Sequence, residues 1–283
     1  MLTWQAAAVI AAAVFVGGWI ALMWVTRPGV RLFASFVRES GVILALYALW
    51  QYAGGITLAA TDQAVQRGTH IWQLERSWHL PSEAWMQRGI LHHSILVQAC
   101  NIFYATMHFT MLIAMLFWLY SRHREAYSRA RMTIVLTTTA CLLVGLVPVA
   151  PPRLINVGMV DTAVVHGQSV YTVSAIGADQ YAAMPSVHVA WAALIPVIVI
   201  MTSQSKWRWL ILLHFFVTVY VVIVTANHYW ADGIVAIGLL ALSLGVQAVA
   251  AGAYRRWRLR GLTHPATTGT IVDLGESDDV GVR

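Results

Sequence analysis

The chain has 283 residues, of which 59% are hydrophobic and only 11% charged, where soluble domains carry roughly 25% charged residues. That balance excludes an ordinary soluble domain and points to a polytopic, all-α transmembrane bundle. The net charge of +6 does not make it a nucleic-acid binder, because the basic residues cluster in short connections between apolar runs, where they set membrane orientation.

Seven apolar runs predict spans at 4–25, 41–60, 95–120, 132–149, 186–203, 209–226 and 229–253. Helix rise of ~1.5 Å per residue lets runs of this size cross most of a ~30 Å hydrocarbon layer. The first run lacks a positively charged leader and is long enough to span, so it reads as a retained helix. Arg27, Arg31 and Arg38 follow the first run, and Arg122, Arg124, Arg129 and Arg131 the third. Lys206 and Arg208 follow the fifth; Arg255, Arg256, Arg258 and Arg260 follow the last. These alternate connections belong together on the cytoplasmic side, with the N-terminus outside and the C-terminus inside.

Between the second and third runs, residues 61–93 carry Trp72, Trp78 and Trp85 among Arg67, Arg76, Arg88, Glu75 and Glu83. Tryptophan at two-turn intervals beside charge predicts an amphipathic helix in the membrane interface. Cys100 and Cys141 fall inside apolar runs and read as small buried hydrophobes. Residues 150–184 form a long connection with Pro151, Pro152, Gly158, Gly167 and Gly177, of the length seen in lids and binding loops. The polar stretch after Gly261 predicts a disordered cytoplasmic tail.

The chemistry concentrates in Pro185-Ser186-Val187-His188 and Asn227-His228-Tyr229-Trp230-Ala231-Asp232. One apolar run goes in and the next returns, so His188 and His228 come back to the same, extracytoplasmic face. Asp232 follows His228 by four positions, the spacing of one helix face. Phosphoryl transfer needs a nucleophile, an acid for the leaving oxygen, and positive charge around the nonbridging oxygens. His228 can attack through Nε2 while Asp232 orients its other nitrogen, and His188 can protonate the departing alkoxide. Ser186, at a helix start, and Arg153, opening the long loop, can hold phosphate. Two histidines and a carboxylate could instead bind a metal, although Ser186 and Arg153 have no part in such a site. A lipid transporter or structural bundle is the alternative from another class. Asn101, Tyr104 and His108 share one face of the third run and read first as helix packing; His214 is expected to hydrogen-bond a neighbour.

At these residues the chain resembles the type-2 phosphatidate phosphatase superfamily, and most the branch of inositol-phosphorylceramide-synthase-like membrane enzymes. Pro185, Ser186 and His188 match its Pro-Ser-Gly-His motif, with Val187 for Gly. His228 and Asp232 match the end of Ser-Arg-x5-His-x3-Asp, and Arg153 matches the Arg of Lys-x6-Arg-Pro. The resemblance implies His228 as nucleophile, His188 as acid and Asp232 as orienter. It also implies a six-helix core at 41–253, preceded by an extra N-terminal helix and cytoplasmic loop at 1–40 and followed by a tail at 254–283. Leu146 stands where the motif Lys would be, Leu154 replaces its Pro, and Val221-Val222 replace Ser-Arg. A site short of cations suits a singly charged phosphodiester better than a monoester. The expected function is therefore a phosphotransferase moving a phospho-headgroup from a lipid donor to an alcohol through phosphohistidine. A lipid-phosphate phosphatase using water is the runner-up. No cofactor is expected, and the expected location is a bacterial-type plasma membrane.

Overall fold

The computed structural model describes residues 4–57, 61–169 and 180–262. Among the described residues ten α-helices follow one another, beginning with α1 (Trp4–Trp24), α2 (Pro28–Thr57), α3 (Thr61–Ser77), α4 (Glu83–Leu91) and α5 (Ser94–Arg122). After these come α6 (Arg124–Gly145), the single turn α7 (Thr162–Val165), α8 (Val187–Thr202), α9 (Ile211–Val224) and α10 (Trp230–Leu262). Extended pairing among the described residues is confined to a bridge between Val149 and Ala182. The chain divides into two compact units, 1–244 and 245–283; in the second, the described part is the C-terminal stretch of α10. The expected tail lies largely outside the described residues, as do Gly177 and the end of the second expected span.

Among the described residues, five helices are long and apolar enough to cross a membrane: α1, the first part of α2, α5, α9 with the 3₁₀ turn before it, and α10. The protein is an integral, polytopic helical bundle. Two expected spans fall short for different reasons. Helix α8 is apolar throughout but has 16 residues. Helix α6 ends at Gly145, and its first half carries Arg124, Glu125, Arg129 and Arg131, leaving few apolar residues for the hydrocarbon. The outer faces of α5 and α9 present Ile113, Phe117, Leu213 and Phe216, all more than 60% exposed. A continuous apolar surface of that kind is stable only against lipid or another protein.

The first connection is also shorter than expected. Residues 28–40, taken as loop, are already helix. Arg38 pairs with Glu39, whose other oxygen takes Arg131 of α6, so one of the charges that argued for a loop is paired on the helix. Small residues let α1 and α2 pack closely. A Cβ on Gly18 would fall 2.6 Å from the Arg38 nitrogen, and one on Gly41 would fall 2.7 Å from the Phe15 nitrogen.

The central core lies between α5, α6, α8 and α10, where Leu112, Met115, Leu119, Ile134, Leu194, Ile195 and Leu240 pack together. The N-terminal ends of α8 and α10 meet at one end of this core. There the Ser186 amide donates to the Asp232 carbonyl at 3.3 Å.

The segment expected to lie flat as one amphipathic helix is instead the pair α3–α4, and its polarity is reversed. Glu75, Glu83 and Gln87 point inward and are at most 1% exposed, while Trp78 and Trp85 face out at 57% and 69%. Helix α3 lies against the 148–155 strand-like segment and Tyr229. Gly68 makes this approach possible, since a Cβ there would sit 2.5 Å from the Ala150 oxygen and 2.8 Å from the Tyr229 hydroxyl. Gln87 spans two elements, donating to the Val160 and Val224 carbonyls and accepting from the Val160 amide.

Candidate active site

His228 sits in the short link between α9 and α10, only 4% exposed. The chain reaches it through Ala226, whose φ of 56° places a non-glycine residue in the left-handed region. That reversal ends α9, with the Asn227 and His228 amides both donating to the Val222 carbonyl, and returns the chain into α10 with the imidazole turned inward.

The Nδ1 atom of His228 lies 2.8 Å from the Ala183 carbonyl oxygen and 3.2 Å from Asp232 Oδ2. Both neighbours are acceptors, so Nδ1 carries the hydrogen and donates. Nε2 is then an unprotonated lone pair, and it is buried with no hydrogen-bond partner. Asp232 is fully buried, and the same Oδ2 accepts from the Tyr229 amide at 2.8 Å. This carboxylate therefore caps the start of α10 and orients the histidine with one oxygen.

His188, one residue into α8, brings its ring to 5.6 Å from that of His228, centroid to centroid. It stacks on Tyr104 at 4.3 Å and 19°, and meets the edge of His108 at 4.2 Å. His108 Nδ1 bonds the Tyr104 carbonyl at 3.1 Å. Tyr104, His108 and His188 line a narrow cleft together with Thr218, Val221 and Val222. The two valines standing in place of Ser-Arg thus give the site an apolar wall where that motif has a cation.

Arg153 lies in a 3₁₀ turn after Pro151 and Pro152. Its amide donates to the Ala226 carbonyl at 3.0 Å, which ties it to the residues preceding His228. Its guanidinium donates to Asn227 Oδ1 at 2.6 Å and pairs through Nε with Asp161 Oδ2 at 3.2 Å. Asp161 in turn caps α7, which Asn101 anchors to α5 through the Thr162 carbonyl and hydroxyl. Ser186 is fully buried; its oxygen accepts from the Val189 amide at 3.3 Å and caps α8. The Met184–Pro185 peptide before it is cis.

All five expected site residues thus gather at one end of the bundle, in three chain segments bound by main-chain hydrogen bonds. Of the residues read as packing, Asn101 is a tie, whereas Tyr104 and His108 line the site. His214 has its Nε2 buried without a hydrogen-bond partner, and its ring lies 6.2 Å from that of Phe103. Asn227 and the Ala183 carbonyl were not foreseen. Asn227 had one signal, a polar side chain next to the histidine at the end of an apolar run.

A family model described as the PAP2 superfamily matches residues 69–246, more than half of the chain and all of this site. The chain belongs to the PAP2 superfamily. Its members are phosphatases or phosphotransferases, so this protein is a membrane enzyme of that type acting on lipid phosphate. Neither a curated protein nor a solved structure matches the chain.

Proposed function

We propose that this PAP2 superfamily enzyme is a headgroup phosphotransferase of the inositol-phosphorylceramide-synthase-like kind, working through a phosphohistidine on His228. The observation that carries the proposal is the buried, unpartnered Nε2 of an imidazole whose Nδ1–H is held by both Ala183 and Asp232. A neutral imidazole fixed in that tautomer is a nucleophile aimed at a single point.

The Nε2 lone pair forms a bond to phosphorus while the ester bond to the lipid alkoxide breaks. His188 supplies the proton that the departing oxygen takes. As the imidazole becomes cationic, Asp232 balances it. An acceptor alcohol then binds, His188 removes its proton, the new O–P bond forms and the N–P bond breaks. Arg153 and Ser186 hold the nonbridging oxygens, with Asn227 presenting the guanidinium.

The donor is read as a phosphodiester on charge grounds. The guanidinium of Arg153 is already offset by Asp161, and the wall opposite is Val221 and Val222. One formal negative charge is more easily matched there than two. The extracytoplasmic placement rests on the positive-inside distribution. In the 1–244 unit, Arg122, Lys206 and Arg208 lie at the helix ends away from the α8 and α10 starts that carry the histidines. A bacterial-type plasma membrane and a cytoplasmic C-terminus belong to the same reading.

The test is rapid quenching with a ³²P-labelled lipid diester. An acid-labile, base-stable phosphoprotein that disappears in His228→Ala, together with transfer of label to an added polyol, is expected. No labelling from the diester, with inorganic phosphate released from a ³²P-labelled lipid phosphomonoester and no transfer to any alcohol, would show a phosphatase, and normal turnover by His228→Ala would dismiss the site altogether.

A further inference from the structure

Beside Asp232, at the catalytic end of α10, lie two ionisable residues that the reaction above leaves unused, Glu75 and Glu83. Glu75 on α3 is fully buried, Glu83 on α4 is 1% exposed, and Asp232 is fully buried. Glu75 Oε1 accepts from the Ala231 amide at 2.7 Å. Ala231 lies in the first turn of α10, between the nucleophile His228 and its orienter Asp232. The start of α10 is therefore gripped by two carboxyl groups, Asp232 on the Tyr229 amide and Glu75 on the Ala231 amide.

The remaining oxygens of this group are short of partners. Glu75 Oε2, Glu83 Oε1 and Asp232 Oδ1 are all buried without a hydrogen bond to other groups. The charged group facing the cluster from α3 is Arg76, which binds Glu83 Oε2 at 2.8 Å and the Pro81 carbonyl at 3.2 Å. From the 229–232 turn, Tyr229 and Asp232 face it, and Tyr229 spends its hydroxyl on the Ala150 carbonyl. One guanidinium, itself 26% exposed, thus stands against three buried carboxyl groups. Among the described residues, no three His, Cys, Asp or Glu side chains are arranged to hold a metal ion. A proton on one of these carboxyls lowers the charge that the guanidinium has to offset.

We propose that Glu75 is a positioning residue: held as a neutral carboxylic acid against Glu83, it fixes the first turn of α10 through the Ala231 amide and so sets the His228–Asp232 geometry. The proposal rests on the catalytic reading of His228 given above. Burial, then the neighbouring Glu83 carboxyl, push the Glu75 carboxyl up to about 9. Asp232 adds to the same effect. At neutral pH Glu75 keeps its proton, and Arg76 pairs with Glu83. As pH rises through about 9, Glu75 ionises, and like charges from α3, α4 and α10 push against one another at the point that aligns the nucleophile.

The test compares Glu75→Gln, Glu75→Ala and His228→Ala in the full-length detergent-solubilised enzyme, reading kcat and KM from pH 6 to pH 10. Gln keeps an acceptor for the Ala231 amide and has no proton to lose. Glu75→Gln is expected to match the wild type at pH 7 and to lose the wild-type fall in kcat near pH 9, while any limb due to His188 persists in both. Glu75→Ala is expected to lose kcat by ~100-fold with KM little changed, the scale of a reacting group misplaced by about an ångström. If Glu75→Ala does not fold, the pH profile of Glu75→Gln decides alone. An alkaline limb near pH 9 unchanged in Glu75→Gln, equal losses in Gln and Ala, or full activity in Ala each overturn the proposal. Activity surviving in His228→Ala strikes instead at the catalytic reading. A dead His228→Ala beside indistinguishable Glu75 variants strikes at the positioning role alone.

Discussion

Replacing Asp232 by Asn separates two jobs that orienting carboxylates usually perform together. In the Ser-His-Asp arrangement the same replacement costs ~10⁴ in kcat, because the histidine adopts the wrong tautomer. Here the Ala183 carbonyl lies nearer Nδ1, at 2.8 Å, than the carboxylate does at 3.2 Å. A backbone acceptor keeps the hydrogen on Nδ1 whatever occupies position 232, and the Asn oxygen can still accept from the Tyr229 amide. What disappears is the charge facing the imidazolium. At the observed 3.2 Å and an effective dielectric of about 20, two unit charges interact by ~5 kcal/mol. Spreading the imidazolium charge over two nitrogens reduces this to ~3–4 kcal/mol, or ~10²–10³ in rate. The assay is single-turnover formation and decay of the labelled phosphoenzyme in micelles, with intact folding checked by thermal melting. Both steps should slow, since both pass through a cationic ring. A loss of ~10⁴ or more in a folded variant would mean that Ala183 does not secure the tautomer. A loss below about tenfold would mean that the carboxylate charge is not felt in the transition state.

Two further perturbations read other parts of the site. Asn227→Ala removes the acceptor that presents Arg153 at 2.6 Å and leaves the guanidinium to Asp161; KM for the lipid should rise ~10-fold, as for a lost hydrogen bond to a charged group, with kcat changed much less. Saturation kinetics at fixed micelle concentration measure both. Gly68→Ala puts a methyl 2.5 Å from the Ala150 oxygen and 2.8 Å from the Tyr229 hydroxyl, so α3 must move off the wall that holds Tyr229. We expect a loss of ~1–3 kcal/mol of stability, typical of overpacking, visible as a lower melting temperature, together with reduced kcat.

How much of this was legible in the sequence differs from residue to residue, and the reason is the range of the signal. The meeting of His188 and His228 follows from two apolar runs that reverse, because a helical hairpin returns the chain to the same side. The Asp232 contact follows from helical spacing. The main-chain acceptor at Ala183 carries no side-chain mark, so no reading of residue types could find it. Glu75 and Glu83 misled for the opposite reason. Acids among tryptophans and arginines look like a solvated face, yet here they point inward because α10 offers an unsatisfied amide and α3 lies against it through Gly68. Helix α2 starting at Pro28 was hidden in a similar way: Arg38 reads as loop until its partner Glu39, shared with Arg131 of α6, is seen.

The substitution of Val187 for the glycine of the family motif becomes intelligible from the same geometry. Glycine is required where the backbone takes a positive φ or where another chain passes too close for a Cβ. Val187 is the first residue of α8, in helical conformation, and it packs at the edge of the cluster around Cys141 and Val222. The sharp reversal next to the nucleophile lies elsewhere, at Ala226. The anion-facing end of α8 is secured instead by its cap, with Ser186 accepting from Val189 and donating its own amide to the Asp232 carbonyl. Because the two helix starts are joined backbone to backbone, the distance between acid and nucleophile does not depend on the residue between Ser186 and His188. A valine there costs the helix no more than a few tenths of a kcal/mol in propensity, and it packs against the core cluster that includes Val222. The same wall that lacks a cation for a doubly charged phosphate is well matched to the hydrocarbon beside a lipid ester, which ties the choice of donor to the side chains that depart from the motif.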